Sequence, residues 1–98
     1  MKTVPLTQDH INNGVARDAY SCPIACALKE AGYQDPSVDY DKAFLNTEER
    51  MLSPAVRNFI EEYDSGEGGN PATLCINKEW VYFSSEDPEN LYDDGYTY

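Results

Sequence analysis

The chain has 98 residues, room for one domain around one modest core. Its 18 Asp and Glu against 7 Lys and Arg give a formal net charge of -11. That charge repels a phosphate polyanion and an anionic membrane surface alike, so neither nucleic acid nor membrane is an expected direct partner. No apolar run approaches the roughly 20 residues of a membrane span, and Met1-Lys2-Thr3-Val4-Pro5-Leu6 carries no signal-peptide core. The expected compartment is therefore a cytoplasm, where Cys22, Cys26 and Cys75, an odd number for pairing within one chain, are expected as reduced thiols. Twelve aromatics, eight of them Tyr, argue against disorder of the whole chain.

Residues 2–6 read as a short strand that Pro5 confines to a sheet edge. Thr7 is placed to cap a short helix over 8–13, ended by Gly14. Ser21 is the expected cap of a helix over about 22–31, with Pro23 in its first turn and an apolar face of Ile24, Ala25, Ala27 and Leu28. Over 37–45, Val38, Tyr40 and Phe44 alternate with Asp39 and Asp41, the pattern of one half-buried strand with carboxylates toward solvent. Lys42 interrupts that pattern and marks an end or a bulge.

Thr47 with Arg50 makes an imperfect capping box, and Glu48 and Glu49 suit a helix start. Ser53-Pro54 is the firmer start. Val56, Phe59, Ile60 and Tyr63 follow at i, i+3, i+4, i+7, predicting an amphipathic helix over 54–64. A Gly-rich loop over 65–71 leads to two strands, 72–77 and 79–84, joined at Asn77-Lys78. The continuous run Trp80-Val81-Tyr82-Phe83 suits a strand covered on both faces or one with an exposed aromatic face. These elements predict one α+β domain over 1–84: a mostly antiparallel sheet of three to four strands with two main helices packed on it. Residues 85–98 form an acidic, Tyr-containing C-terminal segment, either disordered or laid on the domain by its tyrosines.

The charge is polarised along the chain. Residues 1–60 hold eight acids and six bases; residues 61–98 hold ten acids and Lys78 alone. Solubility of a small domain needs a net charge of only about 2–8, and self-repulsion costs stability. Glu61, Glu62 and Asp64 crowd a helix C-terminus, where negative charge is disfavoured by roughly 0.3–1 kcal/mol per residue. Either function or chance placed them there.

Other constellations are weaker. Cys22, Cys26, Cys75 and His10 match a zinc site in ligand type, but only one close ligand pair is visible, and small buried thiols are the simpler reading. Cys22 sits at a helix start without a histidine spaced to activate it. Gly66-Glu67-Gly68-Gly69-Asn70 lacks the Lys-Ser/Thr of a phosphate loop, and Glu67 would repel phosphate. Asp39-Tyr40-Asp41 and Asp93-Asp94-Gly95 do not continue into a calcium-binding loop. No catalytic residues, cofactor or metal are expected.

The stretch Asp18-Ala19-Tyr20-Ser21-Cys22-Pro23-Ile24-Ala25-Cys26-Ala27-Leu28 resembles small proteins of bacteriophages and other mobile elements, which carry an Ile…Gly…Asp segment before Cys-Pro-Ile-Ala-x-Ala-Leu. Ile11, Gly14 and Asp18 match the first part. Leu52-Ser53-Pro54, Val56, Phe59-Ile60 and Tyr63-Asp64-x-Gly66 continue the likeness, which spans roughly residues 8–76. The resemblance implies a setting, a phage or mobile element in a bacterial cytoplasm. By size and charge the chain also resembles, as a type, acidic DNA-mimic proteins that inhibit host defence, anti-CRISPR proteins foremost.

Together these readings lead to an expected function: a non-enzymatic inhibitor that occupies the basic DNA-binding cleft of a host complex, a CRISPR–Cas effector at its PAM-reading or duplex-gripping surface being the sharpest version. The expected contacts are the carboxylates of Asp39, Asp41, Glu61, Glu62, Asp64, Glu67, Glu86, Asp87, Asp93 and Asp94, with Tyr40, Tyr82 and Tyr92 as stiff packing surfaces. A monomer is the expected state. The alternatives are an anti-restriction or transcription-regulating DNA mimic, and a phage structural or assembly protein with an acidic tail. The plainest alternative is a solvated acidic face without a partner.

Overall fold

The structure, a computed structural model, describes residues 2–46 and 48–88. Among the described residues, six strands and three helices make a small α+β domain. In chain order they are β1 (Lys2–Leu6), α1 (Gln8–Asn13), α2 (Pro23–Glu30), β2 (Ser37–Val38), β3 (Lys42–Leu45), β4 (Glu48–Leu52), α3 (Pro54–Asp64), β5 (Ala72–Ile76) and β6 (Trp80–Phe83). The sheet order is β1-β5-β6-β4-β3-β2. Every neighbouring pair is antiparallel except β4 and β6, which run parallel. That pair encloses the crossover through α3 and β5, because parallel strands cannot be joined by a tight hairpin.

One face of the sheet carries the main core. Val4 and Leu6 of β1, Leu74 and Ile76 of β5, Val81 and Phe83 of β6, Leu52 of β4 and Ala43 and Leu45 of β3 pack with Ile11, Ile24, Leu28, Val56 and Phe59 of the helices. The period-2 alternation of β1 selects this face directly, and Pro5 sits on an outermost strand, where a missing N–H breaks no ladder. Phe59 meets the edge of Phe83 at 5.9 Å and stacks on Tyr63 at 6.2 Å, seating α3 on β6. The backbone at Gly69 lies against the Phe59 ring so closely that a Cβ there would overlap it.

The helix ends show how local sequence sets the elements. Thr7 caps α1 through a capping box in which its own backbone N–H donates to His10 Nδ1 at 3.0 Å. His10 Nε2 lies 3.0 Å from Glu30, joining α1 to the end of α2. Ser53 caps α3, with Pro54 at the first helical position as expected. The cap of α2 is Cys22 rather than Ser21: its Sγ accepts from Ala25 N at 3.5 Å.

Two further expectations, both about the sheet, need correction. The single strand over 37–45 is a hairpin, with β2 and β3 separated by a turn at 39–41 that the Asp39 N–H closes by donating to the Lys42 carbonyl at 2.8 Å. Asp39, Tyr40 and Asp41 thus stand on a turn, and the regular strand spacing anticipated for their carboxylates does not exist. Among the described residues the sheet also has six strands instead of three or four. β4 was hidden because Glu48, Glu49 and Arg50 are poor strand formers that read as a helix start. Pairing overrides propensity here. Arg50 donates from Nε to the Asn77 carbonyl at 2.8 Å and pairs with Glu48 at 2.8 Å, while Lys42 of β3 meets Glu49 at 3.3 Å.

The folded unit also extends past residue 84. The Glu86 carboxylate accepts from Ser53 Oγ at 2.6 Å, Phe83 N at 2.8 Å and Ala55 N at 3.3 Å. It serves as a second cap on α3. Charge-assisted hydrogen bonds contribute about 1.5–3 kcal/mol each at most, and losing one leaves donors unsatisfied. Glu86→Ala is expected to lower unfolding free energy by about 1–3 kcal/mol and Ser53→Ala by about 1 kcal/mol. Because they share a bond, the double variant should lose less than the sum when all three are compared by urea unfolding.

Candidate functional site

The cleft lies between α3, the turn 39–41 and the loop that precedes α2. It encloses about 920 Å³ and is lined by Arg17, Asp18, Ala19, Cys22, Val38, Asp39, Tyr40, Asp41, Arg57, Ile60, Glu61, Asp64 and Ser65. Arg57, Ile60, Glu61 and Asp64 recur at i, i+3, i+4, i+7, a second stripe of α3 beside its core stripe. The loop wall is positioned by main-chain bonds: Val38 N donates to the Ala19 carbonyl at 2.9 Å, and Val15 N to the Ser21 carbonyl at 2.8 Å. Tyr63 OH reaches the carbonyls of Ile11 at 2.7 Å and Gly14 at 2.9 Å, tying the end of α3 to the same loop.

Each acidic wall has a local task that leaves acceptor capacity over. Asp64 Oδ1 accepts from Arg17 N at 2.8 Å, holding Arg17 in the left-handed region at φ 63. Asp18 Oδ1 accepts from Tyr20 N, and Asp39 Oδ1 from Tyr40 N, both at 2.9 Å. An ionised carboxylate offers about four lone-pair positions, so one bond per group still leaves acceptor positions on it. Arg57 and Arg17 bring positive charge to the same lining, and Arg57 Nε is buried without a hydrogen-bond partner among the described residues. Two tyrosines of the bordering segments are well exposed, Tyr40 at 85% and Tyr20 at 60%.

Of the expected contacts, the fold gathers Asp39, Tyr40, Asp41, Glu61 and Asp64 around this one cleft. Glu62, Glu67 and Asp87 are exposed but do not line it. Tyr82 is only 4% exposed, on the opposite face of the sheet from the main core, and does not line the cleft. Asp93, Asp94 and Tyr92 lie outside the described residues. The sequence reading missed Asp18, Arg17 and Arg57. For Arg57 the signal was present in the second helical stripe. Asp18 and Arg17 come from a loop whose approach to α3 is set by contacts 47 residues apart in the chain.

The thiols divide between two environments. Cys22 is buried beside the cleft and its thiol is pushed up from 9.0 to about 11, chiefly by burial. Cys26 Sγ donates to the Ser21 carbonyl at 3.3 Å. Cys75 sits beyond the sheet with Trp80 and Tyr82, so the sheet itself separates the thiols that a Cys3His zinc site would need together. No group of three or more metal-ligating side chains gathers among the described residues. No protein family, curated protein or solved structure matches the chain.

Two predictions follow from this environment. Cys22 binds its proton more tightly folded than unfolded, so its contribution to stability is complete below pH 9.0 and is lost as pH rises through about 11. Tyr63 and Tyr82, both raised by burial, add in the same direction. Urea unfolding should weaken by about 3 kcal/mol across that window, and Cys22→Ala should flatten the fall. Separately, Glu62→Lys, at the negative end of the α3 dipole and off the cleft, should raise stability by about 0.3–1 kcal/mol in the same assay.

Proposed function

We propose that the protein is a non-enzymatic inhibitor of host defence that presents its cleft face to the basic DNA-binding surface of a host complex. A CRISPR–Cas effector at its PAM-reading or duplex-gripping surface is the sharpest form of this reading. The observation that carries it is the meeting of five carboxylates, from Asp18, Asp39, Asp41, Glu61 and Asp64, around one open cleft bordered by an 85%-exposed Tyr40. These groups come from three separate segments of a chain with net charge -11, so the fold concentrates negative charge that the linear sequence spreads out. A groove built to hold phosphate offers Lys and Arg at close spacing, and an acidic face enters it with the same electrostatic steering.

The tyrosines suit the role as well. Tyr40 and Tyr20 supply large, stiff contact area at low entropic cost, and an aromatic face attracts an arginine guanidinium. The two arginines of the lining give such an interface polarity. They favour a partner whose cations arrive at the carboxylates and whose carboxylates or carbonyls arrive at Arg17 and Arg57.

The test is competition. Purified effector carrying its guide is mixed with PAM-bearing duplex DNA and increasing amounts of the protein, and DNA binding is followed by anisotropy. The protein should displace the duplex, and its affinity should fall by at least about tenfold between 0.1 and 0.5 M salt. Asp41→Lys with Glu61→Lys should cost about a hundredfold, whereas Glu62→Lys should change affinity by less than about twofold. Equal losses for both would reduce the effect to bulk charge. If a restriction endonuclease or a transcription factor is displaced from DNA while the effector is not, the mimic reading stands with a different partner; displacement of none of them ends it.

A further inference from the structure

Arg50 and Arg57 are both half-buried, and the fold treats them in opposite ways. Arg50 of β4 uses its whole guanidinium: Nε donates to the Asn77 carbonyl at 2.8 Å, Nη1 to the Glu49 carbonyl at 3.0 Å and Nη2 to the Glu48 carboxylate at 2.8 Å. Arg57 of α3 has no such bonds. Its Nε is buried without an acceptor, and no carboxylate among the described residues pairs with it. Yet Asp18, Asp39, Asp41, Glu61 and Asp64 line the same cleft. Glu61 stands one turn further along α3, at the i+4 spacing that lets opposite charges meet. A charged donor taken from water and given no acceptor destabilises the folded chain, and an apolar side chain would fill the position without that cost. The fold by itself leaves Arg57 incomplete.

Resting on the cleft as a face for a basic surface, we infer that Arg57 is its specificity-determining residue and takes a carboxylate of the partner, set between Lys or Arg side chains that meet the surrounding acids. A carboxylate has two oxygens, which match Nε and one Nη side-on, whereas a carbonyl offers one. The five carboxylates of the lining repel a phosphate polyanion. A lone carboxylate meets the same repulsion unless cations flank it, so the acid arrives between bases. The spacing agrees. Alternate residues of an extended segment recur about 6.6 Å apart on one side, close to the roughly 5–6 Å between Cβ atoms at i and i+4 on a helix, the separation of Arg57 and Glu61. Nε is reached by rotation of the Arg57 side chain, which no hydrogen bond or ion pair among the described residues restrains. A uniformly cationic groove meets Arg57 as a like charge. Arg57 therefore sorts basic surfaces by whether they carry an acid in register.

The test turns on a sign. Of two blocked peptides, acetyl-Arg-Ala-Glu-Ala-Arg-amide and acetyl-Arg-Ala-Gln-Ala-Arg-amide, the second carries one more positive charge. Bulk attraction to a chain of net charge -11 favours the glutamine peptide; a carboxylate site at Arg57 favours the glutamate peptide. Titrated into the isotope-labelled full chain, the glutamate peptide should bind at least about fivefold tighter and shift the Nε–H resonance of Arg57. Arg57→Met should reverse the preference. If that variant unfolds, Arg57→Lys decides, because it keeps the charge, loses the fork and should lose most of the preference. Equal binding, tighter binding of the glutamine peptide or no shift at Arg57 overturns the inference. Against the DNA-bound effector, Arg57→Met should weaken displacement about tenfold, whereas Lys78→Met, which removes a positive charge outside the cleft, should leave it unchanged or tighter. Displacement that Arg57→Met leaves unchanged or improves overturns the inference while the mimic reading stands. A parent chain that prefers the glutamate peptide but displaces no DNA supports the carboxylate site and ends the mimic reading.

Discussion

The start of α3 is where sheet, helix and cleft are coupled. Ser53 is fully buried, with its hydroxyl accepting from Val56 N and donating to Glu86, while the Glu86 carboxylate also takes the N–H groups of Ala55 and Phe83. A helix begins with four unsatisfied donors, and a buried start without partners would be costly. Here the partners come from the end of β4 and from the residues just past β6, adjacent parallel strands of the sheet. The rotation of α3 about its axis is thereby fixed, and with it which stripe of side chains meets the core and which meets the cleft.

That rotation explains how an acidic helix end is tolerated. Val56, Phe59 and Tyr63 face inward on one stripe, with Ile60 at the border, and the adjacent stripe of Arg57, Glu61 and Asp64 opens into the cleft. No basic residue occupies the last turn, so the helix dipole gives these carboxylates no help. Asp64 offsets part of the cost by accepting from the backbone of Arg17 and so ordering the opposite wall. Charge that weakens the helix as an isolated element thus organises the loop across from it. Asp18 and Asp39 do the same within their own turns.

The two faces of the sheet divide the remaining work. The helix-covered face holds a continuous aliphatic core, and the other face holds an aromatic one around Trp80 and Tyr82. β6 serves both, with Val81 and Phe83 turned one way and Trp80 and Tyr82 the other. A strand buried on both faces loses the apolar–polar alternation and reads as an unbroken hydrophobic run. The cysteines follow the same division, which keeps Cys75 away from Cys22 and Cys26.

The sequence by itself determined the elements whose signals are local. Thr7 and Ser53-Pro54 mark the starts of α1 and α3, Pro5 places β1 at an edge, and the apolar spacing of α3 names its core face. These depend on neighbours within one or two turns, so they are legible in a single chain. The tertiary structure alone decided the rest. β4 is a strand because its backbone pairs with β3 on one side and β6 on the other, overriding a local preference for helix. Asp39 and Asp41 left the strand for a turn because β2 folds back on β3. Glu86 became a cap through a hydroxyl 33 residues earlier, and Asp18 joined Asp64 through a loop anchored 47 residues away. Contacts at such separations leave no periodic trace in a sequence, because nothing within a helical turn or a strand pair constrains the residue types that will meet.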